Sequence, residues 1–284
     1  MDAMSHDRLS DAEPAAAGVP ECREPSRWEL IREAVRMIAG AADNLSFMLL
    51  ASGNRFHFRR LERQGRRAEV EEIIQRMTLD WTSSIFAKLG CRVEVEGGEL
   101  VPREGPLLVM PNHQSVYDIP LLMGWLGRPV GFVFKRELLR FPGLRYWMLQ
   151  IHGYAIDRGE HRDAAEQYNR WGDEIAAAGR ALVIFPEGTR SRDSAGALGA
   201  FRRGALRLAT PRSIPILPVV IDGTRLLVRP RALALNPPGK RVVRMRILPP
   251  RVTQPMTPPE SKRFMENLRE AMAATRDSIR VNWG

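Results

Sequence analysis

The sequence predicts an α/β fold: a mixed, largely parallel sheet flanked by helices and preceded by an N-terminal helical pair. Three observations carry this. After Gly90, short strand-like runs interleave with stretches of helical periodicity, the pattern of a sheet wrapped by helices. Two of those runs, residues 107–110 and 181–185, are apolar without alternation, as strands buried on both faces are. Before Gly90 the apolar residues recur at helical spacing and no strand signal interrupts them.

Taken in order, residues 1–24 are rich in Ala, Pro, Asp and Glu without periodicity and predict a disordered leader. Residues 25–90 form the helical pair. In its first half Leu30, Ile31, Val35, Ile38 and Ala42 share a helical face; in its second, Val70, Ile73, Ile74, Met77, Trp81, Ile85 and Leu89 do so, stopped by Gly90. Between them the basic run 55–67, with Phe56 and Phe58 interleaved, reads as a connector. Residues 91–284 form the α/β domain. Strands are expected at 92–96, 107–110, 130–134, 154–156, 181–185, 214–221 and 241–248. Helices are expected at 119–126, 164–178, 205–209 and 260–280, with a short amphipathic stretch at 141–149.

The formal charge of +10 and pI near 10.5 call for an acidic partner. Against nucleic acid, the basic residues are dispersed and no helix-turn-helix, zinc-finger or RRM signature is present. Cys22 and Cys91 stand far apart and suit a reducing compartment. They offer neither a disulfide framework nor a metal cluster. No stretch reaches the roughly 18 apolar residues that a membrane span needs, and the N-terminus lacks the order of a secretory signal. The expectation is a protein at the cytoplasmic face of a membrane, attached peripherally. The aromatic and basic residues 141–148 admit either core packing or contact with an anionic bilayer.

The chemistry concentrates at strand ends. Asn112-His113-Gln114-Ser115-Val116-Tyr117-Asp118 follows the buried run 107–110. On one helix a five-residue offset would set two side chains about 140° apart. His113 and Asp118 therefore meet only if His113 lies in the turn and Asp118 on the helix after it, where Pro120 fits the first turn. The structural alternative makes Asp118 the helix N-cap, or Ser115 the cap with Asp118 completing a capping box. A Ser115 nucleophile is disfavoured, because no Gly-x-Ser-x-Gly elbow surrounds it. Phe185-Pro186-Glu187-Gly188-Thr189-Arg190 follows the run 181–184, and Arg190 supplies a planar fork suited to phosphate. Lys135 and Arg158 stand at two further strand ends, where open α/β sheets bind ligands.

The blocks Asn112-His113…Asp118, Lys135-x-Glu137-Leu138, Gly153…Arg158, Phe185–Arg190 and Ile214–Pro218 resemble, in order and spacing, the glycerolipid acyltransferase family. Within it the chain looks most like the 1-acyl-glycerol-3-phosphate acyltransferases. This resemblance implies a motif core at 107–225. It implies acyl transfer from an acyl-coenzyme A or acyl carrier protein thioester, as co-substrate, to a lysophospholipid acceptor at a membrane, with no bound cofactor or metal. By that analogy His113 takes the hydroxyl proton and Asp118 orients its imidazole. Lys135 and Arg190 hold the phosphate, Glu187, Gly188 and Thr189 shape its site, and Asn112, Ser115 and Arg158 give support. Another lysolipid or lipid-like alcohol is the alternative acceptor. From other classes come a basic nucleic-acid-binding protein and a catalytically silent membrane scaffold.

Overall fold

The computed structural model describes residues 53–140, 142–156, 164–191, 196–227 and 241–281, together with Trp28, Ile31, Ser46, Phe47 and Leu49. The predicted leader and Arg158 lie outside these residues. Most of the first predicted helix does too, although the five isolated residues within it are all helical.

Among the described residues seven strands form one sheet: β1 (Cys91–Glu96), β2 (Leu107–Pro111), β3 (Gly131–Lys135), β4 (Tyr154–Ile156), β5 (Ala181–Val183), β6 (Ile216–Asp222) and β7 (Arg241–Ile247). Their order is β1-β7-β6-β2-β5-β3-β4. Only β6 and β7 run antiparallel; the other neighbours are parallel. The C-terminal ends of β6, β2, β5, β3 and β4 therefore share one edge. β2, β5 and β6 are buried at every position, which explains why their sequences run apolar instead of alternating. At the other side of the sheet, β1 and β7 carry paired charges, with Arg244 on Glu94 at 2.8 Å and Arg246 on Glu96. Charge on an edge strand discourages pairing with another chain.

The period-2 pleat divides the core into two layers. Leu107, Val109, Val183, Leu217, Val219 and Ile221 face a cluster with Phe58, Val70, Ile74, Phe86, Leu121, Leu122 and Trp147. These come from α1 (Arg55–Arg63), α2 (Arg67–Lys88), α3 (Asp118–Trp125) and α4 (Pro142–Gln150). Leu108, Met110, Leu182, Ile216 and Val220 face the opposite cluster, built on α5 (Ala164–Ala178), α6 (Leu206–Ala209) and α7 (Pro258–Val281). The result is a three-layer α/β/α sandwich, as predicted.

One expectation changes, and one open alternative is decided. Residues 55–63 are the helix α1, not a connector. No Gly or Pro breaks them, Phe58 and Leu61 bury at a three-residue spacing, and Gly65 at φ +72° makes the turn into α2. The stretch 141–149 is largely helix α4, and its Trp147 is a core residue packed edge-on to Phe47 at 4.6 Å. Arg145 and Leu149 of α4 stay exposed, whereas Phe141 is outside the described residues.

Helix α2 presses closely on α3. A Cβ on Gly124 would stand 2.1 Å from Thr82 Oγ1, so only glycine fits there. Gln75 donates to the carbonyls of Met123 and Gly124, and Phe86 packs on Tyr117 and Trp125. Through these contacts α2 fixes the helix that begins with Asp118.

Candidate active site

The chain leaves β2 at Pro111, turns through residues 112–117 and enters α3 at Asp118. His113 Nδ1 lies 2.8 Å from Asp118 Oδ2. The same oxygen accepts the backbone N–H of Gln114 at 2.6 Å and of Ser115 at 2.9 Å. The other, Oδ1, accepts the Thr224 hydroxyl at 2.5 Å. Asp118 is fully buried, so every one of these donors matters, because a buried carboxylate must be matched by hydrogen bonds. With both neighbouring amides donating, Asp118 acts purely as an acceptor and Nδ1 carries the hydrogen. That leaves Nε2 of the partly exposed ring as the proton acceptor. The ring stacks on Phe185, with centroids 3.8 Å apart, which restricts its rotation.

Of the two structural alternatives for this turn, Asp118 as N-cap fails, whereas both bonds of a Ser115–Asp118 capping box are present. The N-cap is Tyr117, without a side-chain cap bond, and Asp118 is the first helical residue. Its carboxylate reaches back to the Ser115 N–H, closing the capping box, and holds the His113 turn with the same oxygen. Ser115 Oγ accepts the Tyr117 N–H at 3.1 Å, and the residue is buried. It holds the turn.

Support comes from both neighbouring strands. On the β6 side, the Asn112 amide exchanges two hydrogen bonds with the Ile221 backbone, at 2.9 and 2.7 Å. Asn112 thereby extends the sheet by one step beyond Pro111. Gln114 donates to Asp222 at 2.7 Å and accepts the Gly223 N–H at 3.2 Å. On the β5 side, both oxygens of the buried Glu187 are taken by main chain: His113 N–H at 2.9 Å and Gly199 N–H at 2.8 Å. Ser191 N–H donates to the His113 carbonyl at 2.8 Å. Glu187 thus holds the histidine's backbone directly.

Gly188 has φ +70°, a conformation that glycine adopts without strain, and a Cβ there would lie 3.1 Å from Arg202 Nε. Thr189 and Arg190 are exposed at the tip of the β5 turn, where Thr189 Oγ1 donates to the Arg190 carbonyl at 3.1 Å. Lys135 ends β3, also exposed. Neither cation side chain makes an ion pair among the described residues. Because β5 lies between β2 and β3, these cations share the sheet edge with His113.

The sequence reading missed the contribution of β6. Asp222 and Thr224, with Gln114, complete the buried network, and Arg280 of α7 clamps Asp222 through Nε at 3.0 Å and Nη2 at 2.9 Å. Burial works to raise the Asp222 carboxyl, but the bonds from Arg280 and Gln114 outweigh it and hold the group below the usual aspartate range. The available signal was another polar Asp-Gly-Thr turn after a buried strand.

A family model described as Acyltransferase matches residues 92–222, the segment that contains His113, Asp118, Lys135, Glu187 and Arg190. The 1-acyl-sn-glycerol-3-phosphate acyltransferase of Saccharomyces cerevisiae is 33% identical over 192 residues, which is 67% of this chain and 62% of the relative. The human 1-acyl-sn-glycerol-3-phosphate acyltransferase alpha is 31% identical over 212 residues, 74% of this chain and 71% of the relative. The chain thus spans about three fifths of the yeast relative's length. Among solved structures, that of the 1-acyl-sn-glycerophosphate (LPA) acyltransferase PlsC from Thermotoga maritima superposes with a TM-score of 0.66, at 24% identity. It covers 86% of this chain and 97% of that one, and so shares the fold. With the buried His113–Asp118 pair lying inside the matched segment, this chain belongs to the 1-acyl-sn-glycerol-3-phosphate acyltransferase family.

Proposed function

We propose that the protein transfers a fatty acyl group from a thioester to the free hydroxyl of 1-acyl-sn-glycerol 3-phosphate, giving phosphatidic acid. The observation that carries this reading is the His113–Asp118 pair at 2.8 Å, its carboxylate buried and saturated by donors. Nε2 takes the proton from the acceptor hydroxyl as the oxygen attacks the thioester carbonyl. Asp118 stabilises the imidazolium that forms. The tetrahedral intermediate collapses, and the thiolate leaves with the proton carried by His113. Nothing in this sequence requires an acyl-enzyme, and Ser115, occupied with the Tyr117 amide, is not needed as a nucleophile.

Arg190 and Lys135 hold the acceptor phosphate, Arg190 through two of its N–H groups and Lys135 as a point charge. Thr189 and Gly188 shape the approach to Arg190, and Glu187 and Asn112 keep the His113 main chain in place. The thioester is carried by coenzyme A or by an acyl carrier protein, both acidic and matched to a chain of charge +10.

The lipid acceptor reaches the enzyme at the cytoplasmic face of a bilayer, to which the protein binds peripherally. Among the described residues no helix is long and apolar enough to cross a membrane. Helix α1 offers a surface route instead: Arg55, Arg59, Arg60 and Arg63 surround the exposed Phe56, and Arg55 lies 4.5 Å from the Phe56 ring centroid. Cations beside an exposed aromatic ring suit an anionic interface. We assign residues 25–90 to membrane contact and residues 91–284 to catalysis.

Purified protein incubated with acyl-coenzyme A or acyl carrier protein thioesters and a lysolipid panel, with products weighed by mass spectrometry, tests this. Phosphatidic acid from lysophosphatidic acid is expected. Acylation of other lysolipids but not of this one would overturn the acceptor assignment.

A further inference from the structure

The last turn of α7 reaches back to the catalytic edge from more than fifty residues away in the sequence. Arg280 grips both oxygens of Asp222, which is 1% exposed. Asp222 Oδ1 also receives the Gln114 amide at 2.7 Å, and the Gln114 backbone N–H closes on Asp118 Oδ2 at 2.6 Å. An unbroken chain of hydrogen bonds thus runs Arg280–Asp222–Gln114–Asp118–His113. One turn earlier on α7, Arg276 donates to the Gly196 carbonyl at 2.6 Å. The segment it holds belongs to the connection after the Arg190 turn, where Ser191 Oγ donates to the Ala197 carbonyl at 2.9 Å.

We propose that Arg280 is a positioning residue for acyl transfer: by clamping Asp222 it fixes Gln114, and with it the amide that aims the Asp118 carboxylate at His113. The proposal rests on the acyltransferase reading above and adds a role for a helix outside the 92–222 match. A planar guanidinium is needed because the clamp uses two nitrogens on two oxygens of one carboxylate. Without it, the Gln114 amide is the side-chain hydrogen bond that Asp222 retains among the described residues, with Arg225 acting on it through charge alone. Its buried charge is then poorly matched, and it relaxes toward water or another cation. Gln114 follows it, and the turn 113–115 loses its fixed aim. A small displacement of a catalytic group lowers kcat without altering how tightly the substrates bind.

The test uses full-length protein and Arg280→Met, Arg280→Lys and the neutral pair Asp222→Asn with Arg280→Gln. Arg280→Met is expected to lose about 10- to 100-fold in kcat, with KM for both substrates essentially unchanged. Arg280→Lys should stay low, and added guanidinium ion should restore part of the Arg280→Met rate. The double variant should recover much of kcat, because it replaces the charged clamp with an amide pair. The downfield proton NMR signal of His113 Nδ1–H should broaden or move upfield in Arg280→Met below its melting temperature, and this readout needs no substrate. Four results would overturn the inference: an unchanged kcat, an unchanged His113 resonance, a rate loss that follows only the fall in Tm, or a loss confined to KM. If wild type makes no acylated product while the Arg280→Met resonance still changes, the functional reading fails and the positional coupling stands.

Discussion

Asp118→Asn separates two jobs that the carboxylate performs. Both the Gln114 and Ser115 amides point at Oδ2, together with His113 Nδ1. Asparagine can meet three donors only by placing its carbonyl oxygen there, so its NH2 faces Thr224. The Thr224 hydroxyl then turns its lone pair inward and accepts. The histidine keeps its tautomer, and what is lost is the negative charge beside the imidazolium. A hydrogen bond to an ionised partner contributes about 1.5–3 kcal/mol against about 0.5–1.5 for a neutral one. The midpoints differ by about 1.3 kcal/mol, which corresponds to roughly a tenfold fall in kcat. Stability should change little. Asp118→Ala is different, because it strands four donors in a buried site at about 1–3 kcal/mol each, and Tm should fall by about 10 °C or more. The assay is thioester release at saturating acceptor, with thermal melts in parallel. A loss near ~10⁴-fold in Asp118→Asn, the scale of a wrong histidine tautomer, would refute the argument that the backbone amides dictate the side chain's orientation. A loss under about threefold would show that Asp118 does not carry the imidazolium charge.

Arg190→Ala and Lys135→Ala should each weaken use of lysophosphatidic acid far more than use of monoacylglycerol, and Arg190→Lys should not rescue; equal losses on both acceptors would place these cations elsewhere in the reaction. Gly124→Ala puts a Cβ 2.1 Å from Thr82 Oγ1 and should destabilise by about 1–3 kcal/mol, as overpacking does. Adding Thr82→Gly should recover most of that in a melt, and the absence of coupling between the two would contradict the α2–α3 packing. His152 is held down to about 4, chiefly by burial and also by Arg180 and Arg67. The unfolded chain therefore binds a proton between about pH 6.5 and pH 4 that the folded protein does not. Stability should fall as pH drops through that window, by roughly 1–2 kcal/mol after allowing for solvent screening. His152→Asn, which tolerates the φ of 55°, should melt with a shallower dependence between pH 7 and pH 5, and an equal dependence in both proteins would remove His152 as the cause.

What the sequence made legible depended on how local the signal was. Runs 107–110 and 181–185 announce buried strands because burial on both faces leaves no room for polar residues. The offset from His113 to Asp118, with Pro120 just beyond, places one residue in the turn and the other on the helix, and the structure has that arrangement. Basic composition concealed α1, since a helix that buries only Phe58 and Leu61 looks like a polar linker. For Trp147 the sequence left core packing and surface contact both open because its neighbours are cationic, and Phe47, a hundred residues earlier, decides for the core by packing on it. For Asp222 and Thr224 the Asp-Gly-Thr turn marks a polar strand end but names no partner, and Arg280 carries no local signal. Each acts through a partner more than fifty residues away, and no periodicity or short motif encodes such a meeting. Glu187 was assigned to the substrate because its neighbours are ligand-like, yet its two oxygens are committed to the backbone.

In the proposed function His113, oriented by Asp118, removes the proton from a lysophosphatidic acid hydroxyl. The most direct measurement is phosphatidic acid formation, followed by mass spectrometry, from an acyl thioester and 1-acyl-sn-glycerol 3-phosphate by wild type and by His113→Ala with matched melting curves. Product is expected from wild type, with a fall of at least about 10²-fold, the lower end of general-base contributions, in a His113→Ala protein that still melts cooperatively near the wild-type Tm. Wild-type turnover by that folded variant would contradict this role.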